Sequence, residues 1–128
     1  MNKPFFAPQL YIPNGIRDVS FYTKAFGAKE LRRFSNDDAT IHVSELSISG
    51  AIFHLHEVTT KPDHFAPDKH RGTTVLLGLF VDDVDQYMAS AISAGAVETS
   101  PAQDYDYGYR QGQIQDPFGH QWLIQKQI

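Results

Sequence analysis

The chain contains an internal repeat, and this repeat limits its possible folds more than any other feature. One segment turns at Gly50 and continues into Ala51–His56, and a later one turns at Gly119 and continues into Gln121–Lys126. Aligning the two glycines, 119 on 50, gives an offset of 69 residues. Glycine-containing turns followed by β-branched and aromatic residues are typical of hairpins. The repeat therefore predicts two copies of one supersecondary unit.

Each copy is predicted to begin with a strand and a helix. In the first copy Leu10–Ile12 is the strand, and the helix is predicted to begin after Asn14, a candidate N-cap, and to end at Gly27. Its apolar residues recur at helical spacing, at Ile16, Val19, Tyr22 and Phe26. In the second copy Val75–Val81 is the strand, and an amphipathic helix is predicted to end at Gly95.

Three further strand-like segments follow each helix. They are Lys29–Ser35, Thr40–Ile48 and Ala51–Glu57 in the first copy, and Val97–Ser100, Tyr109–Gln115 and Gln121–Lys126 in the second. The order strand, helix, three strands is a βαβββ module. The sequence therefore predicts an α+β fold made of two tandem βαβββ modules.

The length of the chain indicates a single domain. Its 128 residues are predicted to form one domain spanning 1–128, with module one at about 7–57 and module two at about 75–126. The segment 58–74 is the longest stretch without a strand or helix pattern, so it is predicted to be the linker between the modules, placed to fold over a cleft.

Composition and charge exclude several classes of function. The chain has no cysteine, which excludes disulfides, thiolate catalysis and cysteine-ligated zinc. A net charge of −4 without a basic stripe argues against a nucleic-acid partner. No apolar run approaches the roughly 20 residues that span a bilayer, and no signal-peptide pattern is present. The expectation is a cytoplasmic protein with no membrane partner.

Three motifs resemble those of a known family. Phe21–Ala28 reads Phe-Tyr-x-x-Ala-Phe-Gly-Ala, Asp116–Trp122 reads Asp-Pro-Phe-Gly-His-x-Trp, and Tyr107–Arg110 reads Tyr-Gly-Tyr-Arg. With the repeated module, they resemble the vicinal oxygen chelate superfamily, which includes glyoxalase I, bleomycin- and fosfomycin-resistance proteins and extradiol dioxygenases, and within it the PhnB-like branch. The resemblance implies that the modules form a curved mixed sheet around a cleft. It also implies a small-molecule ligand and a homodimer.

The resemblance also implies where a divalent metal would bind. Family members that use a metal draw its ligands from the first and last strands of each module. Those positions fall here at Ala7, His54, Leu76 and Leu123. Only His54 has a metal-binding atom, so the expectation is a protein without a metal cofactor. A register shift of two residues would bring in Gln9 or His56 instead.

Strand alternation defines a candidate ligand-binding face. Residues two apart on a strand share a face, so the side that holds the implied ligand positions mixes aromatic, aliphatic and polar groups. The opposite side is uniformly apolar and is expected to lie under the helices. Such a mixed face is typical of a small-molecule site. The candidate ligand-binding residues are Gln9, Tyr11, His54, His56, Gly78, Phe80, Tyr107, Arg110 and Gln125.

Several of these residues have a structural alternative. The spacing of His54 and His56 suits zinc or copper, but also hydrogen bonding to a ligand or to water. Gly78 fits close approach of a ligand to the backbone, or a β-bulge. Arg110 fits recognition of a ligand anion, or an ion pair with a nearby aspartate. Tyr107, with its neighbouring tyrosines, fits a pocket wall or a cross-strand cluster.

Two main functions and one special case follow. The first is a metal-free cleft that binds a small organic molecule, with or without a reaction. The alternative is a divalent-metal-dependent lyase, isomerase or dioxygenase with His54 and His56 at the metal. The special case is a bleomycin-type binder, whose bulky cationic ligand would require acidic residues near the cleft. Metal analysis separates the first two, and ligand-induced stabilisation tests the third.

Overall fold

The protein consists of two βαβββ modules. The computed structural model describes residues 3–70 and 72–128, leaving aside the side chains of residues 69 and 70. The first module contains β1 (Gln9–Ile12), α1 (Phe21–Phe26), β2 (Lys29–Ser35), β3 (Ile41–Ile48) and β4 (Ala51–Glu57). The second contains β5 (Leu76–Phe80), α2 (Val84–Ser93), β6 (Val97–Tyr105), β7 (Tyr109–Gln115) and β8 (Gln121–Gln127). The α+β prediction of two tandem βαβββ modules is confirmed.

Each module forms its own four-stranded sheet. The first sheet has the order β1-β4-β3-β2 and the second the order β5-β8-β7-β6. In each, the first strand runs parallel to the last, and the other neighbours are antiparallel. Strands β1 and β5 therefore lie at sheet edges.

Strand register confirms the internal repeat. Gln9 lies opposite His54 in the first sheet, and Gly78 lies opposite Leu123 in the second. Both members of the second pair lie 69 residues beyond their counterparts (78 against 9, 123 against 54). The turn glycines also match, because Gly50 and Gly119 have φ values of 94° and 93°, in the region that favours glycine.

The helix-bearing faces of both sheets contribute to one hydrophobic core. Their buried residues are Leu10, Ile12, Phe53, Leu55, Trp122 and Ile124, which confirms the predicted apolar face. Tyr22 of α1 is completely buried and contacts the rings of both Phe53 and Trp122. The two sheet faces turned away from this core are called the first and second outer faces.

A buried carboxylate joins the modules inside this core. Asp116 is 3% exposed, and its Oδ2 accepts hydrogen bonds from the Tyr22 hydroxyl at 2.6 Å and from Trp122 Nε1 at 2.9 Å. Its Oδ1 accepts from the backbone N–H groups of Phe118 and His120. Burial, followed by the adjacent charge of Asp116, raises the pKa of Tyr22 well above its usual value, so the hydroxyl keeps its proton and donates.

Helix α1 is shorter than the sequence predicts. It begins at Phe21, so the predicted start after Asn14 is wrong. The side chain of Asp18 accepts from the Ser20 backbone N–H, and Ile16 O accepts from Ile41 N, so the segment before the helix is tied into other structure. Asn14 instead donates its side-chain amide to Glu57 and to the backbone of Val58. The end at Gly27 is confirmed.

The cluster around Glu57 gives a pH-dependent prediction. His42 Nδ1 lies 3.0 Å from Glu57 Oε1, and the amides of Asn14 and Asn36 donate to the same carboxylate. Burial alone would raise the pKa of Glu57, but these hydrogen bonds lower it below the ordinary 4.5. A lowered folded-state pKa stabilises the fold above the unfolded-state pKa, and this contribution is lost as the pH falls through the folded-state value.

Glu57→Gln is therefore expected to lower the free energy of unfolding by about 1 kcal/mol at pH 7. Because glutamine does not titrate, the variant should also lose less stability than the wild type on acidification below pH 4.5. Urea unfolding at pH 7 and at steps down to pH 3 measures both effects. Equal acid sensitivity of the two proteins would contradict this role for Glu57.

Candidate functional site

The first outer face carries imidazole and charged groups. Side chains that lie opposite one another across paired strands share a face, which groups Gln9 with His54, Tyr11 with His56, and Glu45 with His54. Arg32 of β2 lies opposite Glu45. Four predicted site residues, Gln9, Tyr11, His54 and His56, are thus brought together on this face.

A chain of polar contacts holds His54. Its Nε2 lies 2.9 Å from Glu45 Oε2, and Glu45 Oε1 is 3.7 Å from Arg32 Nε. A carboxylate only accepts, so His54 Nε2 carries a proton and Nδ1 is the nitrogen left for another partner. The side chain of His54 is 26% exposed, which leaves the ring accessible from solvent.

His56 lies within an aromatic and imidazole group. Its Nδ1 donates to the backbone carbonyl of Glu57 at 2.6 Å, because a carbonyl only accepts. Its ring makes edge contacts with Tyr11 at 6.0 Å and with His42 at 4.9 Å between centroids. His64 of the linker lies 4.9 Å from the Tyr11 ring, so the linker reaches this end of the first outer face.

The second outer face carries a ladder of glutamine side chains. Gln111 donates its amide to Gln125 at 2.8 Å, and Gln113 donates to Gln121 at 3.3 Å. Gln121 in turn donates to Gln115 at 3.0 Å. Of these glutamines, only Gln125 was among the predicted site residues. The alternation of glutamines at 111, 113 and 115 was the signal for the others, since period-two residues on a strand share a face.

Gly78 lies in a regular strand, so the β-bulge explanation is wrong. The register between β5 and β8 is continuous, so the strand has no bulge at this position. A Cβ on Gly78 would lie 2.8 Å from Gln125 Nε2. The glycine therefore provides the space in which the Gln125 side chain lies across β5.

Aromatic rings border one end of the second outer face. Tyr107 stacks on Tyr105 at 5.3 Å between centroids, and its hydroxyl donates to Gln111 Oε1. Tyr109 contacts Phe80 edge-on at 6.2 Å. Phe80 is 63% exposed, so an apolar ring is presented to solvent beside the ladder. The structure thus places Gly78, Phe80, Tyr107 and Gln125 together.

Arg110 lies apart from the other predicted site residues. It projects toward the helix side of β7, where Nη2 donates to Asp85 at 2.8 Å and Nη1 donates to Asp104 at 3.0 Å. These hydrogen bonds raise the pKa of Arg110. The Asp104 pair is the predicted structural alternative, whereas Asp85 of α2 was not foreseen.

A groove of about 1070 Å³ lies between the edge strands β1 and β5, and its lining includes Leu10, Phe53 and Trp122 from the apolar sides of the sheets. Gln9 and Tyr11 of β1 line it on one side and Gly78 of β5 on the other. Linker residues, including Phe65 and Thr73, complete its wall, and most of the lining is apolar. Within the described residues, no recorded hydrogen bond or ring contact joins His54 or His56 to Gln125. Of the predicted site residues, Gln9, Tyr11 and Gly78 line this groove, whereas His54, His56, Phe80, Tyr107 and Gln125 lie outside its lining.

The residues at the implied metal positions do not fit a divalent metal. Ala7, Leu76 and Leu123 have no donor atom, and Nε2 of His54 already faces Glu45. Among residues 3–70 and 72–128, no set of three or more His, Asp or Glu side chains is grouped as metal ligands would be. The four implied positions therefore lack the converging donor atoms that hold a divalent ion.

Comparisons with known proteins agree with the observed architecture. Residues 9–124 match the sequence profile of the Glyoxalase/Bleomycin resistance protein/Dioxygenase superfamily. The uncharacterized protein Rv0887c of Mycobacterium tuberculosis is 32% identical over 125 residues, covering 95% of this chain and 74% of the relative. The X-ray structure of the At5g48480 gene product of Arabidopsis thaliana aligns with a TM-score of 0.73 and 29% identity, covering 95% of this chain and 98% of that one. TioX from Micromonospora sp. ML1 aligns with a TM-score of 0.71 and 26% identity, covering 98% and 97%.

Proposed function

Since the chain belongs to the Glyoxalase/Bleomycin resistance protein/Dioxygenase superfamily, we propose that it binds a small organic molecule without a metal cofactor. The ligand lies on the outer faces of the sheets, next to the groove between β1 and β5. Gln9, Tyr11, His54 and His56 contact it from the first module. Gly78, Phe80, Tyr107 and Gln125 line the second half of the site.

The observation that carries this proposal is the contrast between the two sides of each sheet. The core side is apolar, whereas the outer faces combine exposed rings such as Phe80 with hydrogen-bonding groups such as His54 and Gln125. Apolar surface with a few oriented polar groups is how small-molecule sites are built. The donor set at the implied metal positions supports a metal-free site, because only His54 has a ligating atom there.

A second copy of the chain completes the site in this proposal. Strands β1 and β5 are edge strands, and apolar side chains beside β5 are exposed. Val75 is 59% exposed and Leu76 is 48% exposed. Open strand edges beside exposed apolar residues favour association. Sedimentation of the purified protein tests this, and a monomer at micromolar concentration would contradict it.

The test of the metal-free proposal is metal analysis followed by a ligand screen. After dialysis against zinc, nickel, manganese and iron in turn, the protein is expected to retain far less than one metal ion per chain. A chemically diverse library screened by thermal shift should then contain compounds that stabilise the metal-free protein. Stoichiometric metal that is lost in His54→Ala would instead support the metal-dependent enzyme.

His54→Ala gives the matching prediction for binding. Because His54 is partly exposed and lies outside the core, the substitution should change the free energy of unfolding by less than about 1 kcal/mol. It should lower the affinity for the best ligand of the screen by about tenfold, the equivalent of one hydrogen bond. Isothermal titration of wild type, His54→Ala and the exposed control Gln86→Ala measures this. Unchanged affinity in His54→Ala would show that the first outer face is not part of the binding site.

A further inference from the structure

The second outer face differs from the first outer face by its lack of charge. The strand register places side chains from β5, β6, β7 and β8 on this face. They are Leu76, Gly78, Phe80, Val97, Ser100, Gln103, Tyr105, Tyr109, Gln111, Gln113, Gln115, Gln121, Leu123, Gln125 and Gln127. None of these described residues is charged, although charged residues make up 20% of the chain. The first outer face, with Arg32 and Glu45, has no such restriction.

The glutamine ladder fixes the orientation of its amide groups. Gln125 is 8% exposed, and its Oε1 accepts from Gln111 at 2.8 Å. The Oε1 of Gln111 in turn accepts from the Tyr107 hydroxyl. Because Oε1 of Gln125 is held by a donor, its Nε2 must be the group that lies over Gly78. In the described part of the chain the structure records no acceptor for this nitrogen, so it presents N–H groups at the floor of the face.

Aromatic and amide groups meet at this point. Phe80 of β5 lies opposite Gln125, and Tyr109 of β7 lies opposite Gln127, two residues further along β8. Phe80 is exposed, and its ring contacts that of Tyr109. A flat molecule placed here would cover apolar rings and could accept a hydrogen bond from Gln125 in the same position.

We infer that this face recognises an uncharged planar molecule that carries a carboxamide or lactam group. The inference rests on the proposed function and assigns a ligand class to the second half of that site. An amide ligand offers both a donor and an acceptor, which matches glutamine side chains. A charged ligand would lose water without gaining a counter-charge on this face, which disfavours both anions and bulky cations of the bleomycin type.

Three probes of the same flat shape test the charge preference. Benzamide is neutral, benzoate is an anion and benzamidine is a cation at pH 7. Titration of each into ¹⁵N-labelled protein reports on the side-chain amides of Gln111 and Gln125. Benzamide is expected to shift these signals with a Kd at least tenfold lower than that of either charged probe.

Substitutions that introduce a negative charge on the second outer face test whether Gln125 and Gln111 contact the ligand. Gln125→Glu is expected to weaken benzamide binding at least tenfold, whereas Gln86→Glu, on the exposed surface of α2, should leave it unchanged. If Gln125→Glu does not fold, Gln111→Glu makes the same test at a less buried position. Benzamide binding that neither variant of the face alters would overturn the inference.

Other outcomes separate this inference from the proposed function. A charged probe that shifts the Gln111 and Gln125 amides as strongly as benzamide, or no benzamide response at all, overturns the inference. If library ligands then shift His54 and His56 signals alone, the proposed function stands without it. If no library compound binds anywhere, both fail. Glutamine signals that move with protein concentration and not with benzamide would overturn the inference by showing that a second copy occupies the face.

Discussion

Replacing Trp122 by alanine is expected to lower the free energy of unfolding by about 3–5 kcal/mol, the usual cost of emptying a buried aromatic position. The indole is 5% exposed and contacts the rings of Tyr22, Phe26 and Phe53. Its Nε1 also donates to Asp116. One substitution therefore removes packing between β8, α1 and β4 at the centre of the shared core. Urea unfolding monitored by circular dichroism measures the loss.

The matched comparison for Trp122→Ala is His54→Ala, on the outer side of the other module's last strand. The first should be strongly destabilised and the second nearly unaffected. A stable Trp122→Ala protein together with an unfolded His54→Ala protein would mean that the two sides of the sheets have been assigned the wrong way round.

Asp116→Ala is expected to destabilise the protein by about 3–5 kcal/mol, since it leaves several buried donors without an acceptor. The Tyr22 hydroxyl and Trp122 Nε1 lose their partner inside the core, and the turn loses the bonds to the Phe118 and His120 backbone. Typical domains have roughly 5–15 kcal/mol of total stability, so the variant should be close to unfolding at room temperature. Thermal and urea unfolding both report the change.

Three further variants test whether Asp116 stabilises the protein as the acceptor of these hydrogen bonds. Asp116→Asn keeps one carbonyl oxygen but places an NH₂ group near the two core donors, so its stability should lie between those of wild type and Asp116→Ala. Asp37→Ala, at an exposed turn position, should change stability by less than about 0.5 kcal/mol. In the double variant Tyr22→Phe, Asp116→Ala, loss of the hydroxyl should cause no further destabilisation beyond that of Asp116→Ala. This result would confirm that the Tyr22 hydroxyl stabilises the protein through this carboxylate.

The fold was predictable from the sequence because the relevant signals are periodic. The repeat at an offset of 69 residues indicated the order of elements, and the alternation along β4 and β8 separated Phe53 and Trp122 from His54 and Leu123. Alternation follows from strand geometry and needs no knowledge of distant contacts. For the same reason it grouped Gln125 with Gly78 correctly.

The features that escaped prediction depend on partners far apart in sequence. Nothing near Asn14 indicates that its amide binds Glu57, 43 residues away. Arg110 pairs with Asp85 across 25 residues, and this contact arises only when α2 packs on the second sheet. The glutamine ladder was visible as an alternating pattern, but its hydrogen bonds require the register between β7 and β8.

The bond between Tyr22 and Asp116 also sets the order of events during synthesis. The two residues are 94 positions apart, so the hydroxyl in the first module has no buried acceptor until the ribosome has made most of the second. At roughly 5–20 residues per second, that interval is on the order of 5–20 s. Throughout it, Tyr22 and Phe53 of the first module lack the contact with Trp122 that covers them in the finished protein. The nascent chain is therefore expected to depend on chaperones during this interval, and a pause in translation between the modules would lengthen it.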